Sequence, residues 1–279
     1  MKKIKFGFSS CPNDTFIFYA LVNNRIDTRG FDFEFVVADV EELNKLALKE
    51  DLDVTKISYS AYGRVMHNYI LSNYGSALGK NNGPLIISAK YESLEALKGK
   101  VIAVPGENTT ANLLMSIAFP FLDNKKEYLF SDIEDAILNN EVDAGLIIHE
   151  TRFTYSKKGL KKIVDLGEWW ENNYNLPLPL GGICIKREFS DNEIRTIDEI
   201  IGESVRYAFN NRVEVMPFVK KYAQESDNEI IKKHIELYVN EYTAYIGKEG
   251  RRSVSFLLTQ ASNLGFFNKG DFSIFVEHN

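Results

Sequence analysis

The stretch Phe6-Gly-Phe-Ser-Ser-Cys-Pro-Asn-Asp-Thr-Phe16 joins an apolar strand pattern to a helical pattern through small polar residues. Pro12 suits the first turn of a helix, and the Ser or Asn residues beside it are typical caps for unpaired amide groups. Such amides and the helix dipole together attract an anion such as a carboxylate. The stretch therefore predicts either a ligand site at the carboxyl end of a strand or an ordinary strand-to-helix turn.

Outward from this stretch, strand and helix patterns alternate along the chain. Strands are predicted at 4–8, 31–37, 54–57, 85–89, 101–104, 128–130 and 144–148. Helices are predicted at 15–22, 40–49, 61–69, 93–98, 110–118 and 132–139, the last with a capping box from Ser131 to Glu134. This alternation indicates an α/β fold with βαβ units around mostly parallel strands. After Gly182 the pattern becomes mainly helical.

Two segments, 88–92 and 181–186, have the pattern of paired crossings between two lobes. We therefore predict an outer lobe of residues 1–90 plus 184–279 and an inserted inner lobe of residues 91–183. Two α/β lobes joined in this way hold a ligand cleft between them, and such clefts close by hinge motion.

Composition excludes several classes of protein. The 279 residues carry a formal net charge of −6, so the chain lacks the basic footprint of a nucleic-acid-binding protein. No apolar stretch is long enough to span a bilayer, and polar residues from Gly7 to Asp14 interrupt any signal-peptide core. We expect a cytoplasmic protein that binds neither nucleic acid nor membrane. An oligomer is compatible with the aromatic-rich helical tail, which fits a core or a dimer surface.

The two cysteines, Cys11 and Cys184, lie far apart in sequence and lack metal-ligand spacing. Reduced thiols are expected in a cytoplasmic protein. Cys11 lies near a predicted helix start, where the pKa of a thiol can fall. It is interpreted as a small space-filling residue, with a nucleophilic role as the alternative.

His149 is the main catalytic candidate. It follows the apolar run Ala144-Gly-Leu-Ile-Ile148 at the carboxyl end of a predicted strand, where the active sites of open sheets gather. Histidine also exchanges protons near neutral pH without perturbation. The alternative is a strand-end histidine packed against the protein. The other histidines, His67, His234 and His278, are interpreted as structural or solvated.

A second turn, Pro105-Gly-Glu-Asn-Thr-Thr-Ala111, repeats the pattern of the first stretch. Gly106 permits a tight turn, and Thr109 or Thr110 can cap the following helix. Hydroxyl and amide groups there suit a carboxylate, although plain capping explains the same residues.

Three further polar residues complete the predicted site. Lys56 and Ser58 end another strand with an ammonium and a hydroxyl group. Asp14 can hold a substrate hydroxyl, orient His149, or merely favour the helix start through its charge. No P-loop, complete G-x-G-x-x-G fingerprint, nucleophile elbow or metal-ligand cluster occurs in the sequence. We therefore expect no cofactor and no metal.

Three motifs together resemble the 1,4-dihydroxy-6-naphthoate synthase family of menaquinone biosynthesis, which belongs to the futalosine pathway. They are Ser10-Cys-Pro-Asn-Asp-Thr-Phe-Ile-Phe18, Ile147-Ile-His-Glu150, and Asp165-Leu-Gly-Glu-Trp-Trp with Leu-Pro-Leu-Pro-Leu-Gly-Gly182. From the residues alone, the adjacent tryptophans of the third motif suit either a pocket floor or the core.

The resemblance implies a type 2 periplasmic-binding-protein fold used as an enzyme without a redox cofactor. It implies conversion of cyclic dehypoxanthinyl futalosine to 1,4-dihydroxy-6-naphthoate with release of dihydroxyacetone, and His149 as the base. It also implies that the bicyclic carboxylic acid substrate contacts Lys56, Ile57, Ser58, Thr109 and Thr110. From the residues of the first turn, we add Asn13 and Asp14 to the predicted substrate-binding residues. Two alternatives stay open: a non-catalytic solute-binding protein for a small organic acid, and chorismate dehydratase of the same pathway.

Overall fold

The computed structural model describes residues 2–223 and 227–278. The first elements are β1 (Lys2–Phe8), α1 (Pro12–Val22), β2 (Phe31–Val37), α2 (Val40–Leu48), β3 (Val54–Ser58), α3 (Tyr59–Val65), β4 (Tyr69–Leu71) and β5 (Ala77–Gly79). They are followed by β6 (Leu85–Ser88), β7 (Ile102–Val104), α4 (Thr110–Ala118), β8 (Lys125–Glu127), α5 (Ile133–Leu138), β9 (Ala144–Ile147), β10 (Lys161–Asp165) and α6 (Leu166–Tyr174). The chain continues with β11 (Leu178–Lys186), α7 (Asp191–Asn210), α8 (Arg212–Tyr222), α9 (Asn228–Tyr238), α10 (Glu241–Ala244) and α11 (Gly247–Asn263).

The chain divides into two compact units. Unit 1 comprises residues 1–79 and 179–279, and unit 2 comprises residues 80–178. The predicted lobe boundaries at 90 and 184 therefore need correction. The boundary at 90 places β6 in the outer lobe, but this strand pairs with β9 and β10 of unit 2. The two crossings consequently lie before β6 and at the start of β11.

Unit 1 contains a mixed sheet with strand order β2-β1-β3-β11-β4, and β5 also pairs with β11. The strands β2 and β3 run parallel to β1 on its two sides, whereas β11 is antiparallel to β3 and β4. Alternating phenylalanines of β2 lie on one face of the sheet because side chains repeat every second residue of a strand. There Phe35 packs against Phe6 and Phe8, with ring centroids 6.0 Å apart in both pairs.

The helix α1 lies inside unit 1 rather than on its surface. It packs against α7, α8 and α9, and ten of its eleven residues are buried. An amphipathic helix exposes one polar face, but a helix enclosed on all sides buries its polar residues as well. The polar residues at its start, Asn13, Asp14 and Thr15, therefore need hydrogen-bond partners within the protein.

Unit 2 contains a second mixed sheet with strand order β10-β6-β9-β7-β8. The strand β7 runs parallel to β8 and β9, whereas β6 is antiparallel to β9 and β10. Parallel pairs thus occupy only part of each sheet, which corrects the expectation of mostly parallel strands. Side chains from β6, β7, β9 and α5 form the core of this unit.

Three local predictions were wrong. The strand expected at 128–130 lies earlier, as β8, because Val104 of β7 pairs with Glu127 and Phe130 already begins a 3₁₀ turn. The helix α3 ends at Val65 instead of 69, since Tyr69 belongs to β4. Ser131 does not cap α5: its hydroxyl donates to Asp132 Oδ1 at 2.9 Å, and the chain enters the helix through the 3₁₀ turn.

Both cysteines are buried, and neither forms a disulfide. Burial raises the pKa of the Cys184 thiol, so it stays protonated and unreactive at neutral pH. Within residues 2–223 and 227–278, no helix combines the length and the apolar character that crossing a bilayer requires.

Candidate active site

The helix α1 begins at Pro12 without a side-chain cap. Cys11 is the N-cap residue, with extended backbone angles, and its carbonyl oxygen accepts hydrogen bonds from Asp14 N at 3.1 Å and Thr15 N at 3.0 Å. The predicted cap by a Ser or Asn side chain is therefore wrong. The predicted proline position is confirmed, since its missing N–H group is no loss in the first turn.

Asp14 is the centre of a buried hydrogen-bond network at this first turn. Its side chain is 1% exposed. One carboxylate oxygen, Oδ2, accepts hydrogen bonds from Ser9 N at 3.1 Å and from Ser9 Oγ at 2.7 Å. The other, Oδ1, accepts from Asn13 Nδ2 at 2.8 Å and from Lys56 Nζ at 2.7 Å. Four donors thus satisfy the two oxygen atoms of this buried carboxylate.

The Lys56 ammonium is held by this network. Apart from its short ion pair with Asp14, it approaches the carbonyl oxygen of Gly75 at 3.5 Å. Lysine carries three N–H donors, and the described residues direct two of them. The buried pair therefore fixes an ammonium group just before the carboxyl end of β3.

Ser58 and Ile57, at the end of β3, are also held by neighbouring residues. Ser58 Oγ accepts a hydrogen bond from Asn44 Nδ2 at 3.1 Å, and Ser58 N donates to Asn44 Oδ1 at 2.9 Å. The side chain of Ile57 is fully buried. Contact of either residue with a substrate stays a prediction. Besides the bond from Asn44, the Ser58 hydroxyl can donate its proton and accept one further hydrogen bond.

His234 belongs to the same network, although its sequence context suggested a structural or solvated side chain. It is fully buried on α9, and its Nε2 atom lies 3.0 Å from Asn13 Oδ1. Because Asn13 Nδ2 donates to Asp14, Asn13 Oδ1 is the acceptor and His234 Nε2 carries the proton. One signal was readable: His234 lies between Ile231 and Ile235 on the apolar face of an amphipathic helix, and a histidine there needs a buried partner.

In unit 2, Thr109 caps α4 as predicted. Its hydroxyl oxygen accepts a hydrogen bond from Asn112 N at 3.2 Å and donates to the carbonyl oxygen of Gly106 at 2.8 Å. The neighbouring Thr110 is buried, like Thr109. Gly106 has a φ angle of +142°, which favours glycine, so the tight turn expected at this position is confirmed.

His149 begins a 3₁₀ turn, His149–Phe153, directly after Ile148. Its φ angle of +58° lies in the left-handed region, which few non-glycine residues adopt. Strained backbone of this kind persists only where the surrounding structure imposes it, and it clusters at functional sites. The half-buried imidazole packs edge to face on the Phe130 ring, with centroids 4.9 Å apart.

Sheet topology explains which predicted residues lie near one another. In unit 2, β7 and β9 are parallel neighbours, so the segments that follow them carry Thr109, Thr110 and His149 to the same sheet edge. In unit 1, β1 and β3 are parallel neighbours, and the segments at their ends bring Asp14 and Lys56 together. The candidate residues therefore form one group in each unit.

The adjacent tryptophans have different environments. Trp170 is fully buried in unit 2, which agrees with the core interpretation. Trp169 is half-buried, with ring centroids 6.2 Å from Phe119 and 5.7 Å from Tyr174. Successive residues of a helix point in different directions, so one tryptophan fills the core and the other does not.

Three comparisons place the chain among known proteins. A sequence profile described as "Menaquinone biosynthesis" matches residues 4–263. A Thermus thermophilus protein named 1,4-dihydroxy-6-naphtoate synthase is 42% identical over 277 residues, which cover 99% of this chain and 100% of that protein. A solved Archaeoglobus fulgidus protein superimposes with a TM-score of 0.87 at 34% identity, covering 95% of this chain and 98% of that one.

A more distant solved structure identifies the fold. It is a Candida albicans protein described as having the generic periplasmic binding protein fold. It matches with a TM-score of 0.71 at 12% identity and covers 100% of this chain and 99% of its own. The predicted α/β fold of the periplasmic-binding-protein type is thereby confirmed. By the profile match and the full-length similarity, the chain belongs to the menaquinone biosynthesis family.

Proposed function

We propose that this protein is a carbon–carbon lyase of menaquinone biosynthesis. It converts cyclic dehypoxanthinyl futalosine to 1,4-dihydroxy-6-naphthoate and releases dihydroxyacetone. The observation that carries this proposal is the 42% identity, over 99% of the chain, to a protein named for that synthase activity. Similarity extending from one end to the other includes both groups of candidate residues.

His149 is the proposed general base. A base that removes a proton next to a carbonyl group starts the fragmentation, and formation of an aromatic ring drives it downhill. Neutral imidazole suits this step near pH 7. The edge of the Phe130 ring limits the motion of the imidazole, and the left-handed backbone at His149 holds it at the end of β9. The fragmentation involves no net oxidation, so the proposal includes no redox cofactor.

The substrate is a carboxylic acid, and both units offer groups that attract an anion. The start of α4 combines the positive end of a helix dipole with the Thr110 side chain, while the Thr109 hydroxyl, which donates its proton to Gly106, closes the cap. In unit 1 the Lys56 ammonium, paired with Asp14, has one N–H donor besides those directed at Asp14 and Gly75. Asp14 and Asn13 act in this proposal mainly by holding Lys56, since their polar atoms already bond to protein groups.

The decisive experiment is incubation of the purified protein with cyclic dehypoxanthinyl futalosine, followed by absorbance and mass detection of 1,4-dihydroxy-6-naphthoate. Turnover supports the proposal. Parallel incubation with chorismate tests the chorismate dehydratase alternative. Tight calorimetric binding of a small organic acid without any turnover would instead identify a solute-binding protein. Turnover of chorismate, or binding of an organic acid without turnover, overturns the proposal if no naphthoate forms.

A further inference from the structure

The 3₁₀ turn that carries His149 is held by an ion pair that the proposed mechanism does not use. Arg152, in the same turn, donates from one guanidinium nitrogen to Asp165 Oδ2 at 3.0 Å and from the other to the main-chain carbonyl oxygen of Gly83. The side chains of Arg152 and Asp165 are only 14% and 4% exposed. A guanidinium that is mostly shielded from solvent and has two acceptors of fixed direction restrains its own backbone.

The acceptors of Arg152 belong to rigid parts of unit 2. Asp165 ends β10 and also caps α6, since its Oδ1 atom accepts from Gly167 N at 2.8 Å and Glu168 N at 3.3 Å. Gly83 precedes β6 and is in close contact with Gly167: a Cβ atom at Gly83 would lie 2.0 Å from Gly167 N. The carboxylate and the carbonyl group therefore have little freedom to follow Arg152 if it moves.

Strand pairing connects this contact to the end of β9. Leu85 pairs with Ile147 of β9 on one side and with Asp165 of β10 on the other. The turn after Ile147 thus folds back across β6, where Arg152 reaches Asp165. This return requires a sharp change of direction after Ile148, and the positive φ angle of His149 provides it.

We propose that Arg152 and Asp165 are positioning residues for His149: their ion pair imposes the left-handed conformation that places the imidazole for proton abstraction. This inference rests on the proposed function for its kinetic consequence. It also gives a role to Asp165, whose carboxylate caps α6 and holds the turn of the base at the same time. Neither residue is proposed to touch the substrate.

The test uses Asp165→Asn in the full-length protein. Asparagine keeps a side-chain oxygen for the cap of α6 but places an amide donor against the Arg152 guanidinium. Displacement of a catalytic group by about 1 Å costs on the order of 10²-fold in rate. We therefore expect kcat to fall by about that factor while KM stays nearly constant. Arg152→Gln should also lower kcat at a nearly constant KM. The double variant should lose little more activity than either single variant, because both substitutions break the same ion pair.

The matched control is Glu168→Gln. Glu168 lies in the same helix and forms an exposed ion pair with Lys162, with its Oε1 atom 3.3 Å from Lys162 Nζ. This variant removes a charge pair from α6 without touching Arg152, and its kcat should equal that of the wild-type protein. Equal loss of activity in the control and in Asp165→Asn would overturn the proposal.

A second readout does not require turnover. The ring protons of His149 lie close to the Phe130 ring, whose ring current shifts their NMR signals. The chain has four histidines, so the signal can be assigned by single substitution. It should move toward the value of an unstructured histidine in both Asp165→Asn and Arg152→Gln but not in Glu168→Gln. An unmoved signal in both variants overturns the positioning role. Absence of naphthoate formation by the wild-type protein overturns the proposed function, while the NMR test of the ion pair still stands.

Discussion

The first turn of unit 1 and the His149 turn of unit 2 differ in how their polar side chains are held in place. At the first turn, buried charges are matched one to another: Asp14 has four donors, and Lys56 is one of them. At the His149 turn, the backbone adopts a strained φ angle and the imidazole is half-buried. The first turn of unit 1 thus holds its charges through matched buried contacts, whereas the His149 turn holds a partly exposed side chain through its backbone.

A physical rule underlies this difference. Buried ions are tolerated only when their hydrogen bonds are satisfied, so a fixed charge needs many partners. A general base must instead keep a lone pair available to the substrate, so it needs restraint from its backbone and neighbours.

The largest expected effect is the loss of activity in His149→Ala. A positioned general base contributes about 10²- to 10⁴-fold in rate, so turnover of cyclic dehypoxanthinyl futalosine should fall by that factor. The fold should persist, since alanine removes a half-buried ring and no core side chain. Turnover assays with circular dichroism measure both quantities. A rate equal to that of the wild-type protein would show that His149 is not the base.

The second prediction concerns the charge pair of unit 1. Asp14→Asn leaves the Lys56 ammonium buried without its counter-ion, and breaking such a pair costs about 3–5 kcal/mol in the free energy of unfolding. Urea denaturation measures this loss. The control is Lys161→Ala, which breaks an exposed pair with Glu92 and should leave the unfolding midpoint unchanged. Similar midpoints for both variants would mean that the first turn is not the rigid part of the comparison.

The third prediction tests the support of the His149 turn. Gly83→Ala places a methyl group 2.0 Å from Gly167 N, so the backbone must shift. Overpacking of this kind costs about 1–3 kcal/mol, and the turnover rate should fall as well because Gly83 is an acceptor for Arg152.

Gly99→Ala is the comparison for this variant. Gly99 has a φ angle of +73° but no atom within 4 Å of the Cβ position, so only the conformational cost of about 1 kcal/mol applies. It should destabilise the protein without slowing turnover. Slower turnover in Gly99→Ala would show that general instability, rather than displacement of His149, lowers the rate.

The fourth prediction separates a real helix cap from one that only the sequence suggested. Thr109→Ala removes the cap of α4 and should cost about 1 kcal/mol. Ser131→Ala should have no such effect, because Ser131 bonds to the Asp132 side chain and not to α5. Thermal unfolding of the two variants measures the difference, and equal midpoints would contradict the assignment of the cap.

The smallest effect concerns Glu193, a half-buried carboxylate that contrasts with the fully buried Asp14. Hydrogen bonds from Lys2 and from the N–H and hydroxyl groups of Ser190 lower the pKa of Glu193 from 4.5 to about 2. A lowered folded-state pKa adds stability above the unfolded pKa, and this stability is lost as the pH falls from 4.5 toward 2. Glu193→Gln should therefore be less stable than the wild-type protein at pH 7. The difference in the free energy of unfolding between the two proteins, measured by urea denaturation, should disappear on acidification. A difference that stays constant with pH would contradict the lowered pKa of Glu193.

Much of the fold could be predicted because its signals are local. The phenylalanines of β2 alternate, and the predicted strand at 31–37 has the bounds of the structure. Helix α4 likewise runs from Thr110 to Ala118 as predicted, because a threonine cap and apolar periodicity mark it. The ends of the predicted strands also indicated which residues group around His149, since neighbouring parallel strands bring the loops that follow them to one edge of the sheet.

Contacts between distant residues could not be predicted. Nothing near Asn13 in the sequence indicates that His234 bonds to it. The pairing of Arg152 with Asp165 depends on the register of β6 between β9 and β10, which no local pattern specifies. The capping box at Ser131 fits its motif and is nevertheless absent, because the preceding 3₁₀ turn changes how the chain enters α5.

Periodicity, turn residues and the histidine after an apolar strand were thus readable from the chain alone, because each depends on neighbours within a few positions. Folding alone determined which charges neutralise one another and the backbone angle at His149. The reason is that burial makes every ion and every polar group depend on partners that the folded chain, and not the linear order, brings within hydrogen-bond distance.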